Sequence, residues 1–296
     1  MWSGLRGSRC DSSPGSPCCP LVDVASASNF RYFQLRHFHL DLRLNFAVKE
    51  MSGWLVLDLV PIQSGSQVGG QEEPVSLTYR VDPFTDYGSS LNISLPTAAV
   101  TPGELIHING PLHHHRWTGG KNSRPLVFTQ GHSVCNRSFF PCFDTPAVKS
   151  TYSATVRVIP DGVTVLMSAS RSSYSKPDRV FQFSMECPVP SYLVALVAGD
   201  LQHVDVGPRS RVWAEPCPVV LCSEEARGSV ERWLGVAEDL LGPYLWGRCD
   251  IVFLPPSFPI VAMENPCLTF IIASILESSE FLLIDIIHEI AHGWFR

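Results

Sequence analysis

The sequence predicts an α+β fold, in which an N-terminal antiparallel β saddle or sandwich precedes a shorter segment with helices. Apolar and polar residues alternate through much of the first two thirds of the chain, as in half-buried strands. Turn pairs such as Asp82-Pro83 and Pro102-Gly103 separate the short strand candidates. After Gly207 the apolar spacing changes to that of a helix. We therefore predict a disordered leader at 1–28, a β domain at 29–206 and a second domain at 207–296.

The clearest strand begins near Phe38. Alternate positions from Phe38 to Phe46 are apolar, and polar residues stand between them. Leucines at alternate positions from Leu55 to Leu59 repeat the pattern after Gly53. Further strands are predicted at Leu77–Val81, Leu91–Leu95, Glu104–Ile108, Ser153–Ile159, Thr164–Ser168, Val180–Met185 and Leu193–Ala198.

The second segment begins with a helix. Ser229–Leu241 carries apolar residues on one helical face, and Gly242-Pro243 ends it. Two buried strands are predicted next, Ile251–Leu254 and Leu268–Ala273. Ser278 or Ser279 then caps a last helix that runs through Phe281 to the end of the sequence.

Composition excludes several classes of function. The 296 residues are 45% hydrophobic, enough for a sizeable core. The formal net charge of −6 leaves no broad cationic face, so we expect no nucleic-acid binding. Since no apolar run is long enough to cross a bilayer, we expect no membrane span.

The ten cysteines do not indicate a disulfide framework. The first twenty residues lack the apolar core of a secretory signal, and no C-x-x-C pair occurs. We therefore expect a cytoplasmic protein with reduced, mostly buried thiols, among them Cys135, Cys142, Cys187, Cys249 and Cys267.

The decisive motif lies in the last predicted helix. His288-Glu289-Ile290-Ala291-His292 has the form H-E-x-x-H. Because residues four apart share one face of a helix, both imidazoles can place a nitrogen about 2.0–2.1 Å from one zinc ion. Zinc lowers the pKa of a bound water, and a carboxylate beside it can remove the proton. The motif therefore predicts zinc at His288 and His292, with Glu289 as general base.

A structural interpretation of the same residues is that the two histidines are merely packed or solvated. The apolar segment before them, Phe281–Ile287, argues against it, because it indicates a buried helix. Unpaired imidazoles and a carboxylate in such a helix would be unfavourable without a metal.

Upstream of this motif lies Val261-Ala262-Met263-Glu264-Asn265. It resembles the G-x-M-E-N exopeptidase motif of the gluzincin aminopeptidases, which include aminopeptidase N, aminopeptidase B and leukotriene hydrolase. The chain is most similar to the aminopeptidase B branch, on the strength of segments 140–149, 207–213, 242–248, 254–259 and 264–270.

The resemblance implies a saddle-shaped β domain followed by a thermolysin-like catalytic domain. It also implies that Glu264 binds the free α-ammonium group of a peptide substrate, so that one residue is removed at a time. The substrate-binding positions that it carries over are Val261, Ala262, Met263, Glu264, Gln130 and His132.

In two of these positions the chain departs from the family pattern. Val261 stands where relatives have glycine, and His132 stands where they usually have glutamine. Both changes lie beside the expected substrate, so the preferred first residue is left open. A tract of histidines, His113–His115, is interpreted as part of a solvated loop rather than a metal site.

The third zinc ligand of the family is a glutamate nearly twenty residues beyond the second histidine, and no such residue is present in this sequence. Two imidazoles are fewer than the three protein ligands of a usual catalytic zinc site. We therefore expect weak metal affinity and no turnover from this polypeptide as it stands. A non-catalytic binding or regulatory fragment is the alternative.

Overall fold

The computed structural model describes residues 26–62, 75–85, 88–96, 100–116, 126–160, 162–216, 226–277 and 279–295. Most of the predicted leader lies outside them. The strands are β1 Phe33–Asn45, β2 Glu50–Pro61, β3 Thr78–Val81, β4 Leu91–Ser94, β5 Ile106–Arg116, β6 Val127–Phe128, β7 Lys149–Ile159, β8 Thr164–Met167, β9 Arg171–Ser175, β10 Val180–Pro190, β11 Leu196–Gly199, β12 Gln202–Gly207, β13 Ser210–Ala214, β14 Asp250–Leu254, β15 Ala262–Met263 and β16 Leu268–Ile272. The α-helices are α1 Ser229–Leu241 and α2 Ser279–Ala291.

The largest sheet in the described part of the chain has six strands in the order β5-β2-β1-β7-β10-β9. The predicted alternation of β1 is confirmed, because Phe38, Leu40, Leu42 and Leu44 are all buried. Their polar neighbours face the other side of the sheet. The alternation therefore gives this sheet one face on the core and one polar face.

The sequence predicts an antiparallel sheet, but one pair of strands in this sheet is parallel. β1 runs parallel to β7, with His37 opposite Thr151 and Leu44 opposite Val158. Its pairing with β2 is antiparallel but shifts register between Leu35 and His37, which leaves Arg36 as a bulge. Parallel pairing joins segments far apart in sequence, and a local pattern does not encode it.

A second sheet of three strands, β6-β11-β8, follows the first within one continuous core. This core extends from Phe38 and Tyr152 to Leu254, Met263 and Phe270, so it joins the N-terminal sheets to the C-terminal one. Because the two parts share buried side chains, the segment that contains Glu264 is held against the β domain.

The C-terminal sheet has the order β12-β13-β14-β16-β15 and includes the parallel pairs β13–β14 and β14–β16. Helices α1 and α2 pack on it through a second cluster that contains Val230, Leu234, Ile286 and Ile290. Helix α1 has the predicted bounds. The predicted boundary near Gly207 falls inside the β12–β13 hairpin and stays a prediction.

Several local predictions were wrong. His113–His115 belong to β5 rather than to a loop. Leu193 ends a short 3-10 helix, Ser191–Leu193, and the strand after it begins only at Leu196. Cys135 is exposed rather than buried, whereas Cys249 and Cys267 are buried as predicted. No helix of the described ranges has both the length and the apolar character needed to cross a membrane.

Candidate active site

Helix α2 brings the two histidines of the H-E-x-x-H motif together. The Nε2 atoms of His288 and His292 lie 3.1 Å apart, and their ring planes are inclined by 76°. The amide of His292 still donates to the carbonyl of His288 at 3.3 Å, so helical geometry extends to the second histidine. Two nitrogens at this separation can both lie about 2.0–2.1 Å from one zinc ion, as ligands of the same metal do. The histidine pair therefore fits a metal.

A third ligand does not join them within the part of the chain that the structure describes. There, no three His, Cys, Asp or Glu side chains are grouped closely enough to hold a metal ion. The pair supplies two nitrogens, one fewer than the protein ligands of a usual catalytic zinc site.

Glu289 lies between the two histidines in sequence and is buried, with 9% of its surface exposed. Its Oε2 atom has no hydrogen-bond partner. Burial, followed by the negative charges of Glu264 and Asp285, raises the pKa of Glu289 to about 8. A buried carboxyl group without a partner is unfavourable unless a cation, a proton or a water binds to it. This oxygen is therefore unsatisfied in the described part of the chain.

Glu264 and Glu289 line the same cavity, which has a volume of about 200 Å³. Glu264 directly follows β15, the edge strand of the C-terminal sheet, whereas Glu289 comes from α2. His292 lines the cavity as well. The fold thus gathers an amine-binding candidate, a proton acceptor and one of the two imidazoles around one small space.

The other substrate-binding candidates do not line this cavity. Met263 is buried in the core, and Ala262 is half-buried in β15. Val261 is 51% exposed, and its carbonyl accepts a hydrogen bond from the amide of Ile272 at 2.9 Å. Gln130 is half-buried and His132 is exposed. Their connection to the cavity is indirect.

That connection runs through the 3-10 helix Ser191–Leu193. A Cβ atom at Gly131 would come within 2.5 Å of the Tyr192 carbonyl oxygen, so only glycine permits this approach. The buried side chain of Asn136 donates to the carbonyls of Ser191 and Val194. These contacts hold the backbone at Gly131, between Gln130 and His132, against Tyr192, which lines the cavity.

Among the cavity-lining residues that the sequence analysis did not assign to the site are Tyr192, Tyr244 and Asn265. Burial, and then the charge of Glu264, raises the pKa of Tyr192. Asn265 is buried, with 3% of its surface exposed, and its Nδ2 atom has no hydrogen-bond partner. Asn265 is the last residue of the Val261–Asn265 motif, and this position was the one feature of the sequence that could have identified it as a site residue. Nothing in the pattern distinguished the two tyrosines from core residues.

Tyr244 supports the end of the histidine helix. A Cβ atom at Gly293 would come within 2.8 Å of its ring, and the ring centroid lies 5.3 Å from that of Trp294. Its amide donates to Glu238 Oε1 at 2.9 Å. Arg209 in turn holds Glu238 through two hydrogen bonds, of 2.9 and 2.7 Å. The contacts of Glu238 on α1 with Arg209 and with the amide of Tyr244 thus fix Tyr244, the residue against which the segment after His292 packs.

Comparison with known proteins agrees with this architecture. The family described as the peptidase M1 N-terminal domain matches residues 111–193, and the peptidase family M1 domain matches residues 228–296. Aminopeptidase RNPEPL1 of Homo sapiens is 47% identical over 97% of this chain and 49% of its own length. Human aminopeptidase B is 43% identical, with 96% of this chain and 50% of the relative covered. Leukotriene A-4 hydrolase of Xenopus laevis is 34% identical, with 93% and 49% covered.

Solved structures give the same result. The native yeast LTA4 hydrolase superposes with a TM-score of 0.78 at 28% identity and covers 94% of this chain and 46% of its own. This chain spans about half the length of the curated relatives that it matches. The predicted resemblance to the aminopeptidase B branch is confirmed, and so is the α+β fold with an N-terminal β domain followed by the start of a catalytic domain. The chain belongs to peptidase family M1.

Proposed function

We propose that the protein containing this chain is a zinc-dependent aminopeptidase that removes N-terminal residues from peptides in the cytoplasm. The observation that carries the proposal is the convergence of two segments of the chain, the H-E-x-x-H motif and the segment that contains Glu264. The imidazole nitrogens of His288 and His292 lie 3.1 Å apart, and the cavity beside them contains the carboxyl groups of Glu289 and Glu264. The names of the relatives, aminopeptidase RNPEPL1 and aminopeptidase B, agree with this activity.

His288 and His292 are the residues that would hold the zinc ion. A zinc ion in such a site acidifies water and polarises a carbonyl group. A third protein ligand has to come from outside the described residues, because none of these joins the pair.

Glu289 is the proton carrier in this proposal. One oxygen of its carboxyl group accepts a proton from the water that attacks the scissile carbonyl, beside the cavity that Glu289 lines. The same oxygen then donates the proton to the departing amine nitrogen. Burial, followed by the charges of Glu264 and Asp285, raises the pKa of Glu289. A cation held by the neighbouring histidines would lower this pKa again and favour the carboxylate, the form that accepts a proton.

Glu264 is the residue that would recognise the substrate's free N-terminus. A carboxylate in a small cavity attracts an ammonium group, and a charge-assisted hydrogen bond between them is strong. Tyr192 and Tyr244 line the same cavity and leave about 200 Å³. A cavity this small beside the metal would leave little room for residues before the scissile bond, which favours an exopeptidase.

The test uses the full-length protein that carries this sequence, with aminoacyl-coumarin substrates and their N-acetylated counterparts. We expect hydrolysis of the free amines, little hydrolysis of the acetylated forms, and one zinc per protein. Glu264→Gln should reduce kcat/KM for free amines by about 10–100-fold, the equivalent of one charge-assisted hydrogen bond. The matched control is Glu104→Gln, which changes an exposed glutamate and should leave kcat/KM unchanged.

Equal kcat/KM for wild type and Glu264→Gln would contradict the assignment of the amine site. If the full-length protein binds no zinc and hydrolyses none of these substrates, the alternative of a non-catalytic binding or regulatory protein takes its place.

A further inference from the structure

A row of hydrogen-bonded side chains crosses the polar face of the six-stranded sheet, between the parallel strands β1 and β7. His37 contacts Thr151 Oγ1 through Nδ1 at 2.8 Å and Ser153 Oγ through Nε2 at 2.9 Å. His39 contacts the same Ser153 oxygen through Nδ1 at 2.8 Å and Thr155 Oγ1 through Nε2 at 3.3 Å. Ser153 thus joins two imidazoles on the neighbouring strand.

One further contact decides the direction of every hydrogen bond in the row. The hydroxyl of Thr151 donates to the carbonyl of Arg36 at 3.2 Å. Arg36 is the bulged residue of β1, outside the ladder to β2. Because a hydroxyl has one proton, Thr151 has none left for His37 and must accept from its Nδ1–H group.

The remaining bonds follow in turn. In a neutral His37 the Nε2 atom then carries no proton, so it accepts from the Ser153 hydroxyl. Ser153 then has no proton for His39, so His39 Nδ1–H donates to it. His39 Nε2 is left as an acceptor for the hydroxyl of Thr155. While both imidazoles are neutral, the row is therefore a one-directional series of hydrogen bonds that ends on the Arg36 carbonyl, with each ring protonated on Nδ1.

The surroundings favour the neutral rings. Burial lowers the pKa of His37, opposed by Asp58. Burial also lowers the pKa of His39, opposed by Asp41 and assisted by the charges of His37 and Arg157. The charged and titratable groups on the strands around the two rings include Arg36, Asp41 and Arg43 on β1, Glu50 and Asp58 on β2, His107 on β5, Lys149 and Arg157 on β7, Glu186 on β10 and Arg171 on β9.

Several of these groups are paired with one another. His107 lies 2.6 Å from Asp58, Arg157 lies 2.5 Å from Asp41, and Arg171 lies 3.2 Å from Glu186. None of the three pairs interrupts the hydroxyl–imidazole row.

We propose that His37, Ser153 and His39 form a pH-sensitive clasp that holds β1 on β7 while both imidazoles are neutral and loosens this parallel seam when either is protonated. A protonated His39 donates from both nitrogens, so the Thr155 hydroxyl loses its acceptor. A protonated His37 also donates to Ser153, and the Ser153 hydroxyl then has no imidazole to which it can donate. Protonation of either imidazole therefore disrupts part of this row of hydrogen bonds.

The direction of the pH effect follows from linkage. Both folded pKa values lie below the ordinary 6.5, so the clasp stabilises the fold above pH 6.5. This stabilisation is lost as the pH falls through 6.5 toward the folded values. The seam should open in mildly acidic solution, while the β7–β10 pairing, which has no histidine, is retained.

The first test reads the tautomers directly. Histidines are labelled with ¹⁵N in the chain, and His37→Gln and His39→Gln identify the two signals. At pH 8 we expect both rings to be protonated on Nδ1, the form that histidine populates less in water. Both rings protonated on Nε2, or a rapidly exchanging mixture, would overturn the clasp.

The second test measures its release. Amide hydrogen exchange of β1 and β7 is compared at pH 7.5 and 5.5, after correction for the intrinsic pH dependence, in wild type and in Ser153→Ala. We expect protection at the β1–β7 pairs to fall severalfold at pH 5.5 in wild type only, while the β7–β10 pairs keep theirs. The control is Ser184→Ala, which changes a serine on the same face outside the row and should behave as wild type. Equal acid-induced loss in wild type and Ser153→Ala would refute the proposal.

Discussion

Glu264 and Glu289 line one cavity, although one follows an edge strand and the other lies in a helix. The negative charge of Glu264 contributes to the raised pKa of Glu289, so the two groups interact electrostatically. In our proposal the two carboxyl groups have different roles. Glu264 binds the ammonium group of the substrate, and Glu289 transfers a proton from the attacking water to the departing amine.

Replacing the proton carrier should separate metal binding from turnover. In the full-length protein, Glu289→Gln should reduce kcat by about 10²–10⁴-fold, the usual contribution of a general base. Zinc content, measured by metal analysis, should stay at the wild-type level, because the two imidazoles are unchanged. Comparable kcat values for wild type and Glu289→Gln would remove Glu289 from the mechanism.

Zinc should stabilise this chain through the histidine pair alone. A ligand that binds only the folded state raises stability, by about 2.7 kcal/mol at a concentration of 100 Kd. We expect added zinc to raise the Tm of the wild-type chain, and EDTA to reverse the change. His292→Gln should abolish this increase, since one imidazole is left.

The control for this experiment is His203→Gln. His203 is exposed on β12 and stacks on Trp213 at 4.4 Å, far in sequence from the motif. This variant should keep the zinc-induced increase in Tm. An unchanged increase in His292→Gln would place the zinc elsewhere.

The Arg209 network should make stability depend on acid pH. Hydrogen bonds from Arg209 and from the amide of Tyr244 lower the pKa of Glu238 to about 2. Burial alone would raise the pKa of Glu231, but hydrogen bonds from Ser210 and Arg209 lower it. A carboxyl group with a lowered folded pKa stabilises the fold above its ordinary pKa of 4.5, and this stabilisation is lost as the pH falls toward 2.

Arg209→Met removes the partner of both carboxylates, so its urea midpoint should fall relative to wild type at pH 6. The difference between the two proteins should shrink at pH 3, where the carboxylates of wild type begin to be protonated. The control is Arg171→Met, which changes an exposed arginine whose pair with Glu186 is also exposed. A constant difference at both pH values would show that Arg209 acts through packing rather than charge.

Glycine at position 53 should be essential to the six-stranded sheet. A Cβ atom there would overlap the carbonyl oxygen of Asp41 on the neighbouring strand. Gly53→Ala should therefore destabilise the chain by about 1–3 kcal/mol, as overpacking does, measured by urea unfolding.

Gly110 offers a matched control on β5, next to β2 in the same sheet. A Cβ atom at Gly110 meets no other atom within 4 Å. Gly110→Ala should change stability by less than about 0.5 kcal/mol, the usual range for open surface sites. Equal effects of the two substitutions would mean that β2 lies farther from β1 than the structure gives.

The amino-acid pattern by itself determined the elements whose signal is local. The alternation from Phe38 to Phe46 defined β1 and its buried face, and the spacing from Ser229 to Leu241 gave helix α1 its exact bounds. The H-E-x-x-H spacing predicted that both imidazoles share one helical face. Each of these follows from the period of a strand or helix, which a few neighbouring residues establish.

Only the tertiary structure decided what depends on residues distant in sequence. In the folded chain β1 pairs with β7 in parallel, and β5 includes His113–His115. Tyr192 and Tyr244 line the same cavity as Glu264 and Glu289. No local period distinguishes a tyrosine in a cavity wall from one in the core. The direction of the His37–Ser153–His39 chain likewise depends on a bulge at Arg36 and on a strand more than a hundred residues away. Such contacts arise from packing and strand pairing, which bring together parts of the chain that no short pattern connects.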